Sequence, residues 1–147
     1  MTDAQRLAER VRDHLWATDR ASQNMGMRVQ AIGPGRCTMT MTVREDMLNG
    51  FDICHGGFIT TLADSAFAFA CNSRNVVTVA AGLTVDFLAP VKRGEVLTAD
   101  AVEVSLRGRS GVYDIVVTNQ HGAKVALVRG RSHSLAGRTV LPSGESA

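Results

Sequence analysis

The sequence predicts an α+β domain in which an antiparallel β-sheet wraps around one long central helix. The helix is predicted by an apolar stretch without proline over residues 56 to about 73, because a helix that is apolar on every side must be buried. The sheet is predicted by four β-rich segments after residue 75, which turn-like sequences with glycines and charges separate. One buried helix beside several antiparallel strands is typical of a layered α+β architecture with one core.

The segments before the central helix predict one surface helix and two strands. Residues 3–17 carry apolar side chains at helical spacing among charged ones, namely Leu7, Val11, Leu15 and Trp16, which is typical of an amphipathic helix. The segment MRVQAI predicts a weak strand, and from residue 36 onwards apolar side chains alternate strictly with arginine and threonine. Strict alternation is the pattern of a half-buried strand, and the GPG between the two segments predicts a turn.

The strands after the central helix are predicted to follow one another as hairpins. Their segments are 76–90, 95–106, 111–119 and 124–135, and the connections are VKRGE, RGRSG and QHGAK. Such connections are typical of hairpin turns, so each strand is expected to pair with the next. Residues 137–147 are expected to form a loose tail, and residues 1–147 a single domain.

Composition and charge exclude several classes of protein. Of the 147 residues, 45% are hydrophobic and 20% charged, as in an ordinary soluble protein, and no apolar run approaches the roughly 20 residues of a membrane helix. The net charge of +2 gives no sign of nucleic-acid binding. Neither the three cysteines nor the four histidines have zinc-site spacing, so no metal or cofactor is expected. The polar, acidic start is unlike a secretory signal, and we expect a cytoplasmic protein without a membrane partner.

The sequence His55-Gly56-Gly57 stands where the central helix begins. The first backbone amides of a helix have no partner within it, and the helix dipole adds partial positive charge there. Glycine lets a ligand approach these amides closely. The motif therefore predicts a site for an anion, or for a carbonyl oxygen that becomes anionic during acyl transfer. The alternative is a helix start that needs only a flexible backbone.

Asp64 is the one charged residue in the apolar helix. A carboxylate is costly to bury without partners, so a protein keeps one there only where it is compensated or used. Thr61, one turn earlier, is expected to share its face and to donate a hydrogen bond to it. Asp64 is a candidate base or nucleophile, and the alternative is a buried structural carboxylate.

Two neighbouring residue pairs are weaker candidates. Asn49-Gly50 supplies a polar side chain before the helix, but it is also the strongest two-residue turn signal. Cys54 next to His55 suggests a thiol nucleophile with its base. Adjacent residues of an extended segment point to opposite faces, so this dyad is disfavoured.

Three stretches of the chain closely resemble the hotdog-fold acyl-CoA thioesterases, in particular the phenylacetic-acid-pathway branch: MLNGFDICHGGFITTLADSAFAFACN, TVDFLAPVKRGEVLTA and GVYDIVV. The likeness runs from about residue 24 to 136, and the NG, HGG and LAD elements recur in order at the family spacing. It implies a hotdog fold and antiparallel homodimers with their helices side by side, which usually assemble into homotetramers. It also implies hydrolysis of CoA thioesters without a metal or cofactor.

The resemblance assigns roles to residues of the site. It places the catalytic carboxylate on Asp64, as base or nucleophile, the oxyanion amide on Gly56 and the polar loop residue on Asn49. His55 matches the histidine before the glycine and is expected to orient the loop or to assist the departing thiolate. Related thioesterases with glutamate as the acid carry threonine one turn after it, where this chain has Ala68, so the aspartate branch is favoured.

The expected substrate is phenylacetyl-CoA or a related aryl-CoA. Gly57, Thr61 and Phe67 are expected to contact it, and Lys92 and Arg93 to meet the phosphates of CoA. Phenylalanines in such a stretch are more often simple core residues, and basic pairs near strand ends usually face solvent. Both alternatives stay open from the sequence.

Two other functions also stay open. A hotdog hydratase or dehydratase pairs a histidine with an acidic helix residue, and His55 with Asp64 resembles such a pair, although HGG and LAD fit the thioesterases better. A non-catalytic acyl-CoA-binding module would leave Asp64 and Asn49 without an evident use. Release of free CoA from an acyl-CoA distinguishes the three.

Helix geometry predicts that the site is shared between subunits. Gly56 and Asp64 are eight residues apart, which is ~12 Å along one helix. An attacking group and an oxyanion donor that act on one carbonyl lie roughly 6 Å apart. The two groups of one site are therefore expected to come from different chains of a homodimer.

Overall fold

The computed structural model describes residues 1–144. These residues form three α-helices, one turn of 3₁₀ helix at Glu45–Met47 and six strands, in the order α1 (Asp3–Trp16), α2 (Arg20–Asn24), β1 (Arg28–Gly33), β2 (Arg36–Thr42), α3 (Gly56–Asn72), β3 (Val76–Phe87), β4 (Val96–Arg107), β5 (Ser110–Thr118) and β6 (Lys124–Thr139).

The six strands form one antiparallel sheet in the order β1-β2-β4-β5-β6-β3. α3 contacts every one of these strands, so the sheet wraps around the helix. The helix buries apolar side chains against it: Ile59, Leu62, Ala63, Ala66, Phe67, Phe69 and Ala70. Full burial of each larger side chain contributes about 1.5–3 kcal/mol to folding. This arrangement confirms the predicted α+β fold.

The prediction that each strand pairs with the next is wrong for β3. β3 pairs with β6 at the edge of the sheet, and β4 pairs with β2. VKRGE is not a hairpin turn: Gly94 donates to the carbonyl of Val43 and the carbonyl of Glu95 accepts from the amide of Val43, both at 2.9 Å. This connection therefore leaves β3 and ends beside β2. On its way it passes the start of α3, where the amide of Cys54 donates to the carbonyl of Val91. The other two connections are hairpins as predicted.

The N-terminal segment forms two helices, of which the sequence predicts the first. α1 begins after Thr2, whose hydroxyl accepts a hydrogen bond from the backbone amide of Gln5. The helix buries Ala8 and Val11. α2 was not predicted, because five residues are too few to show a periodicity. Its one sequence signal is Asp19, which caps the helix by accepting from the amide of Ser22 at 3.0 Å.

The predicted loose tail, residues 137–147, overlaps the end of β6. β6 continues to Thr139, and Leu141 is buried. Asn75, with a left-handed φ of 67°, holds this segment: its Oδ1 accepts from the amide of Leu141 at 2.8 Å and its carbonyl from the amide of Val140 at 3.3 Å. The last part of the predicted tail, residues 145–147, lies outside the described residues.

Candidate active site

The start of α3 presents one open backbone amide. His55 caps the helix, since its Nδ1 accepts from the amide of Gly57 at 2.9 Å and its carbonyl accepts from the amide of Phe58. The amide of Gly56 has no hydrogen-bond partner within residues 1–144. Gly57 was expected to contact the substrate, but its amide is occupied by the imidazole of His55. The helix start is thus reduced to a single donor at Gly56.

The capping bond also selects the tautomer of the neutral His55 ring. A ring nitrogen that accepts a hydrogen bond carries no proton, so the neutral imidazole has its proton on Nε2. The ring also packs edge-on against Phe58, with centroids 6.4 Å apart. His55 therefore holds the helix start in place and keeps Nε2–H as its available donor.

The loop before α3 is folded around Asn49. Its side-chain Oδ1 accepts from the amide of Phe51 at 2.9 Å and of Ile53 at 3.4 Å, and its own amide donates to the carbonyl of Ile53 at 2.8 Å. The side-chain oxygen of Asn49 thus stabilises the turn. Its Nδ2 has no partner within the described part of the chain, so it is free to donate to a ligand.

A cleft of about 440 Å³ opens beside the Gly56 amide. Asn49 contributes to it, and its other walls are mainly apolar: Ile53, Cys54, Ile59, Phe87, Leu88, Ala89, Pro90 and Val91. The wall formed by residues 87–91 was not predicted: residues 87–90 were expected to be the end of a strand, and Val91 the start of a hairpin turn. The available signal was the run FLAPV, where the alternation of a strand ends in consecutive apolar residues and a proline.

Asp64 lies on the stripe of α3 that the sheet leaves uncovered. This stripe consists of Gly57, Thr61, Asp64 and Ala68, which are exposed or half-buried. Burial raises the pKa of the Asp64 carboxyl above its usual value, and the carboxylate has no hydrogen-bond partner among residues 1–144. The expected bond from Thr61 is absent, because its hydroxyl donates to the carbonyl of Gly57 at 2.8 Å. Threonine commonly bonds to the carbonyl four residues earlier in a helix.

The two predicted reactive groups lie on one continuous helix, α3. Eight residues separate Gly56 from Asp64, which corresponds to ~12 Å along the axis and about 80° around it. The cleft at Gly56 and the stripe with Asp64 are therefore different faces of the helix. One carbonyl group cannot contact both within a single chain.

Phe67 is a core residue in this structure and not a wall of a substrate pocket. It is fully buried, and its ring packs at 73° against Tyr113 with centroids 5.3 Å apart. A Cβ at Gly130 would come within 2.7 Å of the Phe67 ring. The ring therefore rests directly on the backbone of β6 and is not accessible to solvent.

Lys92 and Arg93 lie in the exposed turn that follows the cleft wall. The guanidinium of Arg93 lies 3.6 Å from the carboxylate of Glu45, and the amide of Lys92 donates to the carboxylate of Glu95. Both side chains are exposed and directly follow Val91, the last residue of the cleft wall. Their role toward CoA stays a prediction.

Cys54 lines the cleft but is not activated as a nucleophile. The thiol is buried, and burial raises its pKa to about 11. At neutral pH it is therefore protonated, whereas the thiolate is the reactive form. The disfavoured dyad of Cys54 and His55 gains no support.

The described residues offer neither a metal site nor a membrane-spanning helix. Within residues 1–144, no three His, Cys, Asp or Glu side chains cluster as metal ligands would. In the same range, no helix combines the length and the apolar character needed to cross a membrane.

Comparison with known proteins identifies relatives of the chain. The sequence profile of the thioesterase superfamily matches residues 51–126. The acyl-coenzyme A thioesterase PaaI of Escherichia coli K12 is 44% identical over 124 residues, which cover 84% of this chain and 88% of that protein.

Solved structures show the same architecture. That of the E. coli PaaI protein from the phenylacetic acid degradation operon has a TM-score of 0.90 at 39% identity, and the match covers 92% of this chain and 99% of the other. A Streptococcus mutans protein bound to acetyl-CoA has a TM-score of 0.74 at 26% identity, with 77% and 91% covered. These likenesses confirm the hotdog fold that the resemblance implied.

Proposed function

The chain belongs to the thioesterase superfamily, and from this premise we propose that it hydrolyses acyl-CoA thioesters, with phenylacetyl-CoA or a related aryl-CoA as substrate. Its likeness to an acyl-CoA thioesterase makes it a thioester hydrolase. The aryl group is proposed because the similar E. coli protein belongs to the phenylacetic acid degradation operon. Binding of an acyl-CoA is supported by the related S. mutans protein, which holds acetyl-CoA.

The observation that carries the proposed mechanism is the unpartnered, half-buried carboxylate of Asp64. Its raised pKa makes it a stronger base than an exposed aspartate, because the protonated form is favoured. In the proposed reaction, Asp64 takes a proton from water as the water oxygen attacks the thioester carbon. Alternatively, the carboxylate attacks this carbon itself, and water then hydrolyses the mixed anhydride.

The Gly56 amide is proposed as the oxyanion donor. A carbonyl oxygen seated on it gains negative charge during the attack, and the helix start stabilises that charge. One such donor contributes about 3 kcal/mol to the transition state. The C–S bond then breaks, CoA leaves as the thiolate and takes up a proton, and the acyl group leaves as a carboxylate.

Asn49 and His55 are proposed to position the reacting groups. The open Nδ2 of Asn49 would donate to the attacking water or to the substrate. His55 would keep the Gly57 amide occupied, so that the carbonyl oxygen finds one defined donor. Its Nε2–H would remain available to the departing thiolate.

A homodimer with shared sites is proposed to bring Asp64 of one chain to Gly56 of the other. The uncovered stripe of α3 and the edge strand β3 support this proposal. β3 exposes Val76 and Val79 on an edge that pairs with no further strand among the described residues, and long open edges are normally covered. Two antiparallel α3 helices around a twofold axis would cover the stripe, and pairs of such dimers would form the expected homotetramer.

The test is Asp64→Asn, which keeps the shape of the side chain and removes its charge. CoA release from phenylacetyl-CoA, followed with a thiol reagent, is expected to fall at least ~10²-fold, with circular dichroism and CoA binding unchanged. Asp52→Asn is the matched control, because this exposed aspartate has a left-handed φ of 57° that asparagine also adopts. Retention of more than about a tenth of the activity by Asp64→Asn would contradict the assigned role.

The substrate class is tested separately. A kinetic panel of phenylacetyl, benzoyl and straight-chain CoA esters is expected to show the highest kcat/KM for the aryl esters. A clear preference for long fatty acyl chains would overturn the aryl assignment. Binding of acyl-CoA without any CoA release would instead favour the non-catalytic module.

A further inference from the structure

Phe87, the last residue of β3, rests directly on the backbone of Gly56. A Cβ at Gly56 would lie 2.7 Å from Cζ of the Phe87 ring, closer than real Cβ atoms approach, and 3.1 Å from both Cε atoms. Only glycine at this position lets the ring reach the backbone whose amide is open. The glycine therefore serves a contact with a side chain as well as the approach of a ligand.

The backbone around Phe87 is held from both sides. Phe87 is in register with Ala126 of β6, and the next amide, of Leu88, donates to the carbonyl of Val125 at 2.9 Å. Further on, the carbonyl of Val91 accepts from the amide of Cys54 at 2.7 Å. The wall formed by residues 87–91 is thus fastened to β6 at one end and to the loop before α3 at the other.

The ring is held in place although it is not part of the core. Phe87 is 53% exposed and Leu88 50%, so two large apolar side chains lie half in solvent beside a polar backbone group. Exposed apolar surface of this kind, next to a cleft, is typical of a ligand site. It contrasts with Phe67, which is fully buried.

The chemistry of the cleft indicates which part of a substrate would cover this surface. Among its lining residues, Asn49 carries the one polar side chain apart from the Cys54 thiol. The pantetheine arm of CoA has amide groups that need hydrogen-bond partners when they leave water. An apolar acyl group needs none, and it gains free energy from contact with phenylalanine and leucine.

We propose that Phe87 is a specificity-determining residue, whose ring packs on the backbone of the Gly56 oxyanion donor and forms part of an apolar acyl subsite in the same cleft. The ring contacts the acyl group whose carbonyl oxygen lies on the Gly56 amide. This inference rests on the proposed thioesterase site. It adds a substrate contact that neither the resemblance nor the sequence pattern assigns.

A double-mutant cycle tests the contact between the ring and Gly56. Gly56→Ala keeps the N–H donor but adds the Cβ that displaces the ring, whereas Phe87→Ala removes the ring. Each is expected to lower kcat/KM for phenylacetyl-CoA about tenfold, and the double variant to lose no more than the worse of the two. Leu88→Ala is the matched control, since Leu88 lines the same cleft. Its loss of kcat/KM is expected to multiply with that of Gly56→Ala.

The acyl group supplies a second readout. Acetyl-CoA is too short to fill the cleft, so Phe87→Ala is expected to lower its kcat/KM less than about threefold while phenylacetyl-CoA loses about tenfold. Losses of Gly56→Ala and Phe87→Ala that multiply, or equal losses for both esters, would overturn the proposal. If Gly56→Ala does not fold, the ratio between the two esters decides alone. Both comparisons use variants that retain activity, so their outcome does not depend on the result of the Asp64→Asn test.

Discussion

Two inactive variants are expected to restore activity when they share a dimer. Asp64→Asn removes the carboxylate. Asn49→Asp removes the Nδ2 donor but keeps the Oδ1 acceptor that folds the loop. Asn49 and Gly56 line one cleft, whereas Asp64 lies about two turns further along α3. In a twofold dimer, the two defects of a mixed pair therefore fall in the same site.

The size of the recovery follows from counting sites. When equal amounts of the two chains refold with random pairing, about half of the dimers are mixed. Each mixed dimer has one site with both defects and one site with none. About one quarter of all sites is therefore restored, against a loss of at least ~10²-fold in each parent.

The charge difference between the variants makes the mixed dimer measurable. At neutral pH each Asp64→Asn chain loses a negative charge and each Asn49→Asp chain gains one, so the mixed dimer has the net charge of the wild type. Native ion exchange then separates it from both parents, and CoA release is measured on the purified fraction. A mixture of Asp64→Asn with Asp64→Ala serves as the control, since it has no intact site in any pairing.

The result that refutes this reasoning is a pure mixed dimer with no more activity than its parents. The Gly56 amide and the Asp64 carboxylate of a site would then belong to one chain. That outcome would require α3 to break between them, because a continuous helix holds them ~12 Å apart.

Three other predictions follow from single side chains. Asn49→Asp alone is expected to keep its melting temperature and to lose at least ~10²-fold in kcat, whereas unchanged kcat would mean that Asn49 serves only the turn. Burial raises the pKa of Asp64 in the folded state above its usual 3.8. At a pH between the pKa of the unfolded chain and that of the folded state, the folded state keeps a proton that the unfolded chain has lost, so the free energy of unfolding falls as pH rises. Urea unfolding over a pH series should therefore show Asp64→Asn to be more stable than wild type at neutral pH, with the difference vanishing in acid; an equal pH dependence of both would contradict this. Phe67→Ala is expected to lower the free energy of unfolding by about 3–5 kcal/mol, and a large KM effect without loss of stability would return Phe67 to the substrate pocket.

Local patterns in the sequence were sufficient for most of the fold. α3 follows from its length and apolar composition, and the β4–β5 and β5–β6 hairpins follow from alternation with turn residues between them. The position of β3 in the sheet does not follow from such patterns. Its partner β6 is distant in the sequence, and alternation of apolar and polar residues does not determine which strand pairs with which. The connection VKRGE has the composition of a turn, but its backbone bonds to Val43 beside β2.

The site was predictable by residue type and less so by orientation. Asp64 is conspicuous as a lone charge in an apolar helix, and Gly56 as a glycine at a helix start. The hydroxyl of Thr61 bonds to the backbone instead of Asp64, and the imidazole of His55 takes the Gly57 amide. Such choices between nearby partners depend on side-chain geometry. Likewise, nothing in the identity of Phe67 and Phe87 says which of them is buried.

The pairing of β3 with β6 has a consequence for synthesis on the ribosome. The ribosome produces β3 before β4, β5 and β6, yet β3 lies beyond all three in the sheet. Until residues 124–139 emerge, β3 has no neighbour in the sheet and α3 lacks a large part of its cover. The nascent chain therefore exposes the most apolar helix of the molecule through much of its synthesis, a state prone to aggregation. The last strand to be made is the one that closes the fold.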